Sequence, residues 1–281
     1  MGNGTAVRVS GLRKRYGDAT AVDGIDLEIG RGEVFALLGP NGAGKTTTVE
    51  ILEGFRHRDG GTVEVLGEDP ETAGRPWRAR IGIVLQLAAG VPELTVREMI
   101  AHFAAFYPRP RDPDEVIELV GLAEKAGARI STLSGGQARR ADVALGIIGR
   151  PELLFLDEPT TGFDPQARRQ FWDLIRQLAA DGVTVLLTTH YLEEAEALAG
   201  RLAVLADGRV VALGEPAAIG GAGRPAHVGW DTPDGRRSVE TACPTQAVAE
   251  LAGQIGGEIP GLTVTRPTLE DTYLELIGDR R

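Results

Sequence analysis

Gly39-Pro40-Asn41-Gly42-Ala43-Gly44-Lys45-Thr46 matches G-x-x-x-x-G-K-[ST] at every defined position. Its flanks constrain the fold further. Glu33-Val34-Phe35-Ala36-Leu37-Leu38 reads as a short buried strand, and Thr47-Thr48-Val49-Glu50-Ile51-Leu52 reads as a helix. A glycine-rich turn held between strand and helix lays successive N–H groups, and the positive end of the helix, against negative oxygens. Such a cradle suits a polyphosphate, with Lys45 reaching the β/γ-phosphates and Thr46 ligating Mg²⁺. The bland alternative is a turn with a surface lysine, and the strand and helix on either side argue against it.

A chain of 281 residues has room for one large domain, or for a core domain with a small appendage. Forty acidic residues against thirty basic ones, with no Lys/Arg-rich run, point away from a nucleic-acid face. The single cysteine, Cys243, excludes an intramolecular disulfide framework and a multi-cysteine zinc site, so a reducing compartment is expected. No run of about 18 apolar residues occurs, and Met1-Gly2-Asn3-Gly4-Thr5 lacks the shape of a secretory signal, so the chain is not expected to span a membrane itself.

Val7 to Val9 and Ile25 to Ile29 alternate apolar and polar residues, which predicts antiparallel strands ahead of the loop. Between them Tyr16 is open to two readings, an aromatic face for a nucleotide base or a half-buried sheet tyrosine. Thr62 to Leu66 is another alternating strand, and Ile81 to Leu85 a buried one ending at Gln86. Gln86 can meet a ligand there or simply face water. From Thr95 to about Arg150 the pattern is helical, with Thr95-x-x-Glu98 a capping box and Asp112-Pro113 a cap followed by a first-turn proline. This insert ends in Leu133-Ser134-Gly135-Gly136-Gln137 and a helix through Val143 and Ile147. Ser134 at that helix start is either an ordinary N-cap or part of a second anion-binding nest.

Leu153-Leu154-Phe155-Leu156 runs into Asp157-Glu158, the pattern of a buried parallel strand whose carboxyl end opens on a site. Two adjacent acids beside such a run are costly without a cation or hydrogen bonds. Asp157 is expected to hold Mg²⁺, directly or through water, and Glu158 to orient or deprotonate an attacking water. Asp164-Pro165 starts a helix bearing Phe171, Leu174, Ile175 and Leu178. Val183 to Leu187 then delivers Thr188-Thr189-His190 to the same edge, and a helix spans Tyr191 to Ala199. Leu202–Leu205 and Val210–Leu213 form a hairpin about Asp207-Gly208. A Gly/Pro/Ala-rich stretch at 215–226 reads as a linker. Residues 227–281 read as a small α+β unit with a hairpin about Pro233-Asp234-Gly235, a helix at Ala247–Ile255, a strand at Leu262–Thr265 and a last helix capped by Thr268-x-x-Asp271. Its Asp231, Glu250 and Glu270 are expected to be solvated.

Taken together, the loop at 39–46, Leu133 to Gln137, Leu153 to Glu158 and His190 resemble, in order, the nucleotide-binding subunits of ATP-binding cassette transporters over about residues 7 to 214. Glu50-Ile51-Leu52-Glu53-Gly54 and Pro267-Thr268-Leu269-Glu270-Asp271 look like the ABC-2 type exporter branch that serves drug, antibiotic or polysaccharide permeases. The resemblance implies an α/β P-loop NTPase core at 1–214 with a mostly parallel sheet, an antiparallel β subdomain and a helical subdomain at about 87–150, with the small appendage after it. It also implies ATP contacts along Gly39, Pro40, Asn41, Gly42, Ala43, Gly44, Lys45, Thr46 and Thr47, with Tyr16 stacked on adenine. Mg²⁺ would be shared by Thr46, Gln86 and Asp157. Leu133, Ser134, Gly135, Gly136 and Gln137 would meet nucleotide held by a second subunit, Asp164 would cross that interface, and His190 would hold the γ-phosphate against Glu158. Phe163 stands where the family usually has Leu, and Ala138 where a basic or polar residue is common; neither removes a phosphate or metal ligand.

The expected partners are therefore an integral-membrane permease and a second cassette, alike or merely similar, at the cytoplasmic face of the membrane, with no nucleic acid. A nucleic-acid-maintenance or translation ATPase is the alternative, but it generally adds coiled coil, zinc modules or a second cassette. A non-hydrolysing module would be expected to lack Glu158 or His190. A GTPase needs Asn-Lys-x-Asp, and the only asparagines are Asn3 and Asn41.

Overall fold

The computed structural model describes residues 4–84, 92–221 and 224–278. They form two compact units, one through Leu213 and one from Gly214. The first opens with β1 (Thr5–Tyr16), β2 (Ala19–Gly30), β3 (Val34–Leu38), α1 (Lys45–Leu52), β4 (Gly60–Val65), α2 (Arg75–Arg78) and β5 (Ile81–Val84). Helices α3 (Val96–Ala104), α4 (Pro113–Leu119) and α5 (Gly135–Ile147) come next. The unit closes with β6 (Leu153–Asp157), α6 (Pro165–Ala180), β7 (Thr184–Thr189), α7 (Leu192–Leu198), β8 (Arg201–Ala206) and β9 (Arg209–Gly214).

The antiparallel sheet has the order β2-β1-β4, and its strands run longer than the alternating segments that predict them. Apolar side chains of this sheet, among them Val7, Leu12, Ile25 and Ile29, pack in one core with Phe35, Leu52 and Trp77. Trp77, on α2, is buried and donates its indole N–H to the Val65 carbonyl at 2.8 Å, which satisfies the polar atom that a core tryptophan brings with it. The second sheet has the order β5-β6-β7-β3-β8-β9. Pairing is parallel from β5 through β8, and β9 returns beside β8 through the Asp207-Gly208 turn, where both residues have positive φ.

Its central strands are buried on both faces, as near-continuous runs such as Leu153 to Leu156 require. The registers Leu38↔Thr189 and Asp157↔Thr188 bring the carboxyl ends of β3, β6 and β7 to one edge. The Gly39 loop, Glu158 and His190, each the continuation of one of these strands, therefore gather at that edge.

The helical insert is built by its caps. Thr95 and Glu98 complete a capping box, Asp112 accepts from the N–H groups of Asp114 and Glu115, and Ser134 with Gln137 forms a second box at the start of α5. Helix α5 lies close against β5, with Gly82 and Gly146 at the point of approach.

The second unit contains α8 (Pro216–Ile219), β10 (Ala226–Thr232), β11 (Gly235–Thr241), α9 (Pro244–Ile255), β12 (Thr263–Thr265) and α10 (Leu269–Gly278). Its sheet order is β11-β10-β12, all antiparallel. The stretch expected as a linker carries the α8 turn, and Gly220 lies so close to Leu269 that a Cβ there would meet the Leu269 backbone nitrogen at 3.0 Å. Thr268 and Asp271 cap α10 reciprocally, and Asp231, Glu250 and Glu270 are exposed.

Candidate functional site

The loop after β3 owes its shape to close approach. A Cβ on Gly39 would sit 2.4 Å from the Leu205 carbonyl oxygen, and Gly44, at φ +99°, would put one 2.4 Å from the Ala21 carbonyl oxygen. No other residue type fits either position without moving backbone. Gly44 is also the N-cap of α1 and brings no side-chain cap, so the first amides of that helix stay available to an anion.

Lys45 is only 5% exposed. Its Nζ donates to the Gly39 carbonyl at 2.7 Å and the Pro40 carbonyl at 3.1 Å, and lies 3.9 Å from Glu158 Oε1. Burial pulls the ammonium below its ordinary value, while the Glu158 and Asp157 carboxylates oppose that. The cavity above it, about 520 Å³, is lined by Asn41, Gly42, Gly44, Lys45, Thr46 and Thr47 from the loop and α1, by Ala21, and by Asp157 and Glu158. One cationic group, open helix amides and two carboxylates thus share a concave space at the carboxyl edge of a parallel sheet, where a triphosphate and a hard cation fit together.

Thr188 holds the Asp157 carboxylate and the Glu158 backbone from behind. Thr188 on β7 donates its hydroxyl to Asp157 Oδ1 at 2.5 Å. The Glu158 N–H donates to the Thr188 carbonyl and to its Oγ1, both at 3.1 Å. Glu158 has φ +43°, a region that non-glycine residues rarely occupy, and its Oε1 lies 3.2 Å from His190 Nδ1 without completing a hydrogen bond. Glu158 thereby stands between Lys45 and His190. Behind them Glu194 is fully buried with Trp172 Nε1 3.4 Å away; burial raises its carboxyl pKa, against the pull of the Thr189 and Thr160 hydroxyls and the indole.

Tyr16 ends β1, 42% exposed, with Arg56 Cζ 5.3 Å and Lys14 Nζ 5.6 Å from its ring centroid. It is not among the residues that line the cavity. Gln86 lies outside the described residues.

Ser134, Gly135, Gly136 and Gln137 line a separate cleft of about 330 Å³ together with Asp164, and none of its lining residues is shared with the Lys45 cavity. Ser134 accepts from the Gln137 N–H at 3.3 Å, and Asp164 caps α6 through the N–H groups of Gln166 and Ala167. Phe163, beside Asp164, packs edge-on to Phe171 with centroids 5.8 Å apart, which gives the larger ring its place. The roles of two supporting residues escape sequence reasoning. The sequence brings Thr188 to the site edge, but its hydrogen bonds to Asp157 and Glu158 carry no local signal. Arg139 receives no role from the sequence, yet its spacing from Val143 and Ile147 puts it on the buried stripe of α5.

The sequence model of the family described as ABC transporter matches residues 22–161. The daunorubicin resistance ATP-binding protein DrrA3 of Streptomyces coeruleorubidus is 40% identical over 308 aligned positions, covering 99% of this chain and 97% of that protein. Nod factor export ATP-binding protein I of Burkholderia pseudomallei strain K96243 is 38% identical over 294 positions, covering 95% of each. Among solved structures, cbiO1 of Clostridium perfringens, described as part of an ABC transporter complex, matches with TM-score 0.70 and 27% identity over 76% of this chain and 90% of that one. With a matched domain that spans the phosphate loop and both carboxylates, and relatives alike from end to end, the chain belongs to the ABC transporter family as an ATP-binding, ATP-hydrolysing subunit.

Proposed function

We propose that this subunit drives export through a separate integral-membrane permease, working as a pair of cassettes at the cytoplasmic face of the membrane. The names of its relatives, one for daunorubicin resistance and one for Nod factor export, support a drug, antibiotic or other hydrophobic or glycan cargo. No helix among the described residues is long and apolar enough to cross a membrane, which suits a subunit that borrows its pathway from a partner.

The observation that carries the hydrolytic reading is the placement of Glu158, within 3.9 Å of Lys45 and 3.2 Å of His190. The loop amides and Lys45 bind and orient the triphosphate, Tyr16 offers a face to adenine, and His190 meets the γ-phosphate. Glu158 orients the attacking water and accepts its proton at a carboxylate oxygen. Thr46 and Asp157 are oxygen donors lining the same cavity and fit Mg²⁺, a cation that keeps several waters and takes few protein ligands; Gln86 is assigned as a third. When bound, Mg²⁺ would supply charge neutralisation at the β- and γ-phosphates. Because Ser134, Gly136 and Asp164 line a separate cleft, we assign them to nucleotide held by a second subunit.

Glu158→Gln tests this reading. Phosphate release should fall by at least about 100-fold, the scale of a lost general base, while ATP affinity is retained and a nucleotide-bound dimer accumulates. Turnover at the parent rate rejects the assignment.

A further inference from the structure

Arg139 reaches from α5 to the turn that carries Glu158. Its Nε donates to the Pro159 carbonyl at 3.1 Å and its Nη2 to the Asp157 carbonyl at 2.9 Å, so these acceptors flank Glu158 in the chain. The residue is 7% exposed, and burial disfavours its charge against the favourable carboxylates of Asp142, Asp157 and Glu194. An arginine is retained in such a place only where its donors are met. The residue it brackets has φ +43°, and a left-handed non-glycine turn persists only when its surroundings hold it. From β7, Thr188 takes the Glu158 N–H; from α5, Arg139 takes the carbonyls on either side. A planar fork suits two carbonyls at once, which the single ammonium of lysine does not reproduce.

We propose that Arg139 is a positioning residue that fixes the turn aiming Glu158 at the phosphate cavity and ties that turn to the helix that begins at Ser134. Helix α5 then has two ends of one task. Its first residues line the cleft assigned to the second subunit's nucleotide, and one turn later Arg139 sets the carboxylate of its own chain's site. What binds at the start of α5 and how Glu158 is aimed are thereby linked through a single rigid element. The inference rests on the reading of Glu158 as the hydrolytic group.

The test uses the full-length chain with Arg139→Lys and Arg139→Gln, and Glu158→Gln alongside. ATP dependence of phosphate release, ATP affinity by calorimetry and thermal unfolding are measured for each. The expected result for both arginine variants is a kcat lower by about 10- to 100-fold, with ATP affinity within about twofold of the parent, because misaiming a catalytic group costs rate while the phosphate loop is untouched. A kcat within about twofold of the parent overturns the proposal. So does a matched fall in affinity and kcat, or failure of both variants to yield ATP-binding protein, since either outcome makes Arg139 a residue of folding alone. Parent-like turnover in Arg139→Lys beside an inactive Glu158→Gln rejects only this inference. Parent-like turnover in Glu158→Gln rejects the reading beneath it.

Discussion

A buried ammonium without phosphate must find other acceptors, and Lys45 finds them in the Gly39 and Pro40 carbonyls of its own loop. The loop is thereby held in shape before a nucleotide arrives, and the incoming oxygens exchange with acceptors already at hand. Lys45→Ala removes both the hold and the charge, so calorimetry should show ATP affinity lower by about tenfold or more. Glu53 gives a second prediction. It is 6% exposed, and burial, then Asp157 and Glu50, push its carboxyl from 4.5 up to about 8. A folded value above the unfolded one means that its contribution is complete below pH 4.5 and is lost as pH rises toward about 8. Urea unfolding of the nucleotide-free protein at pH 6 and pH 8 should register that loss, and Glu53→Gln should flatten it. That Lys45, Thr46, Asp157, Glu158 and His190 meet at one sheet edge was legible in sequence, because each lies at the end of a strand or the start of a helix. The supporting bonds of Thr188 and Arg139 were not, because they depend on a neighbouring strand and a crossing helix that no local pattern announces.

Among the elements, caps were the easiest to read. Thr95, Asp112, Asp164 and Thr268 all start helices, because a short polar side chain before an apolar stripe has one economical use. Ser134→Ala should lose about 1 kcal/mol from α5 through the cap alone, measurable by denaturant unfolding without nucleotide. Helix α2 was missed because four residues, Arg75–Arg78, carry no periodicity, and the pairing of α5 with β5 was equally invisible. There a Cβ on Gly82 would lie 2.1 Å from the Gly146 carbonyl oxygen. Gly82→Ala must push α5 off the sheet, and an unfolding free energy lower by at least about 1–3 kcal/mol is expected, with the midpoint shifted in a denaturant titration. The φ of Gly82 is ordinary, so the glycine is there for space and not for a turn.

For the molecule as a whole, the parallel sheet arises from buried runs alternating with helices, and the sequence carries that plainly. The strand order does not: β7 lies between β6 and β3, a crossover decided by packing long after the local patterns are spent. The separation of the Lys45 cavity from the Ser134 cleft has a consequence for mixtures. Lys45→Ala spoils one cleft of a chain and Gly136→Asp the other, so each variant alone should be inactive as a pair of like chains. Mixed together, a dimer of the two unlike variants joins the sound loop of one to the sound helix of the other. Partial recovery of phosphate release on mixing is expected, as complementation between two dead parents. A blend that stays silent would mean that a single chain supplies both halves of its own site.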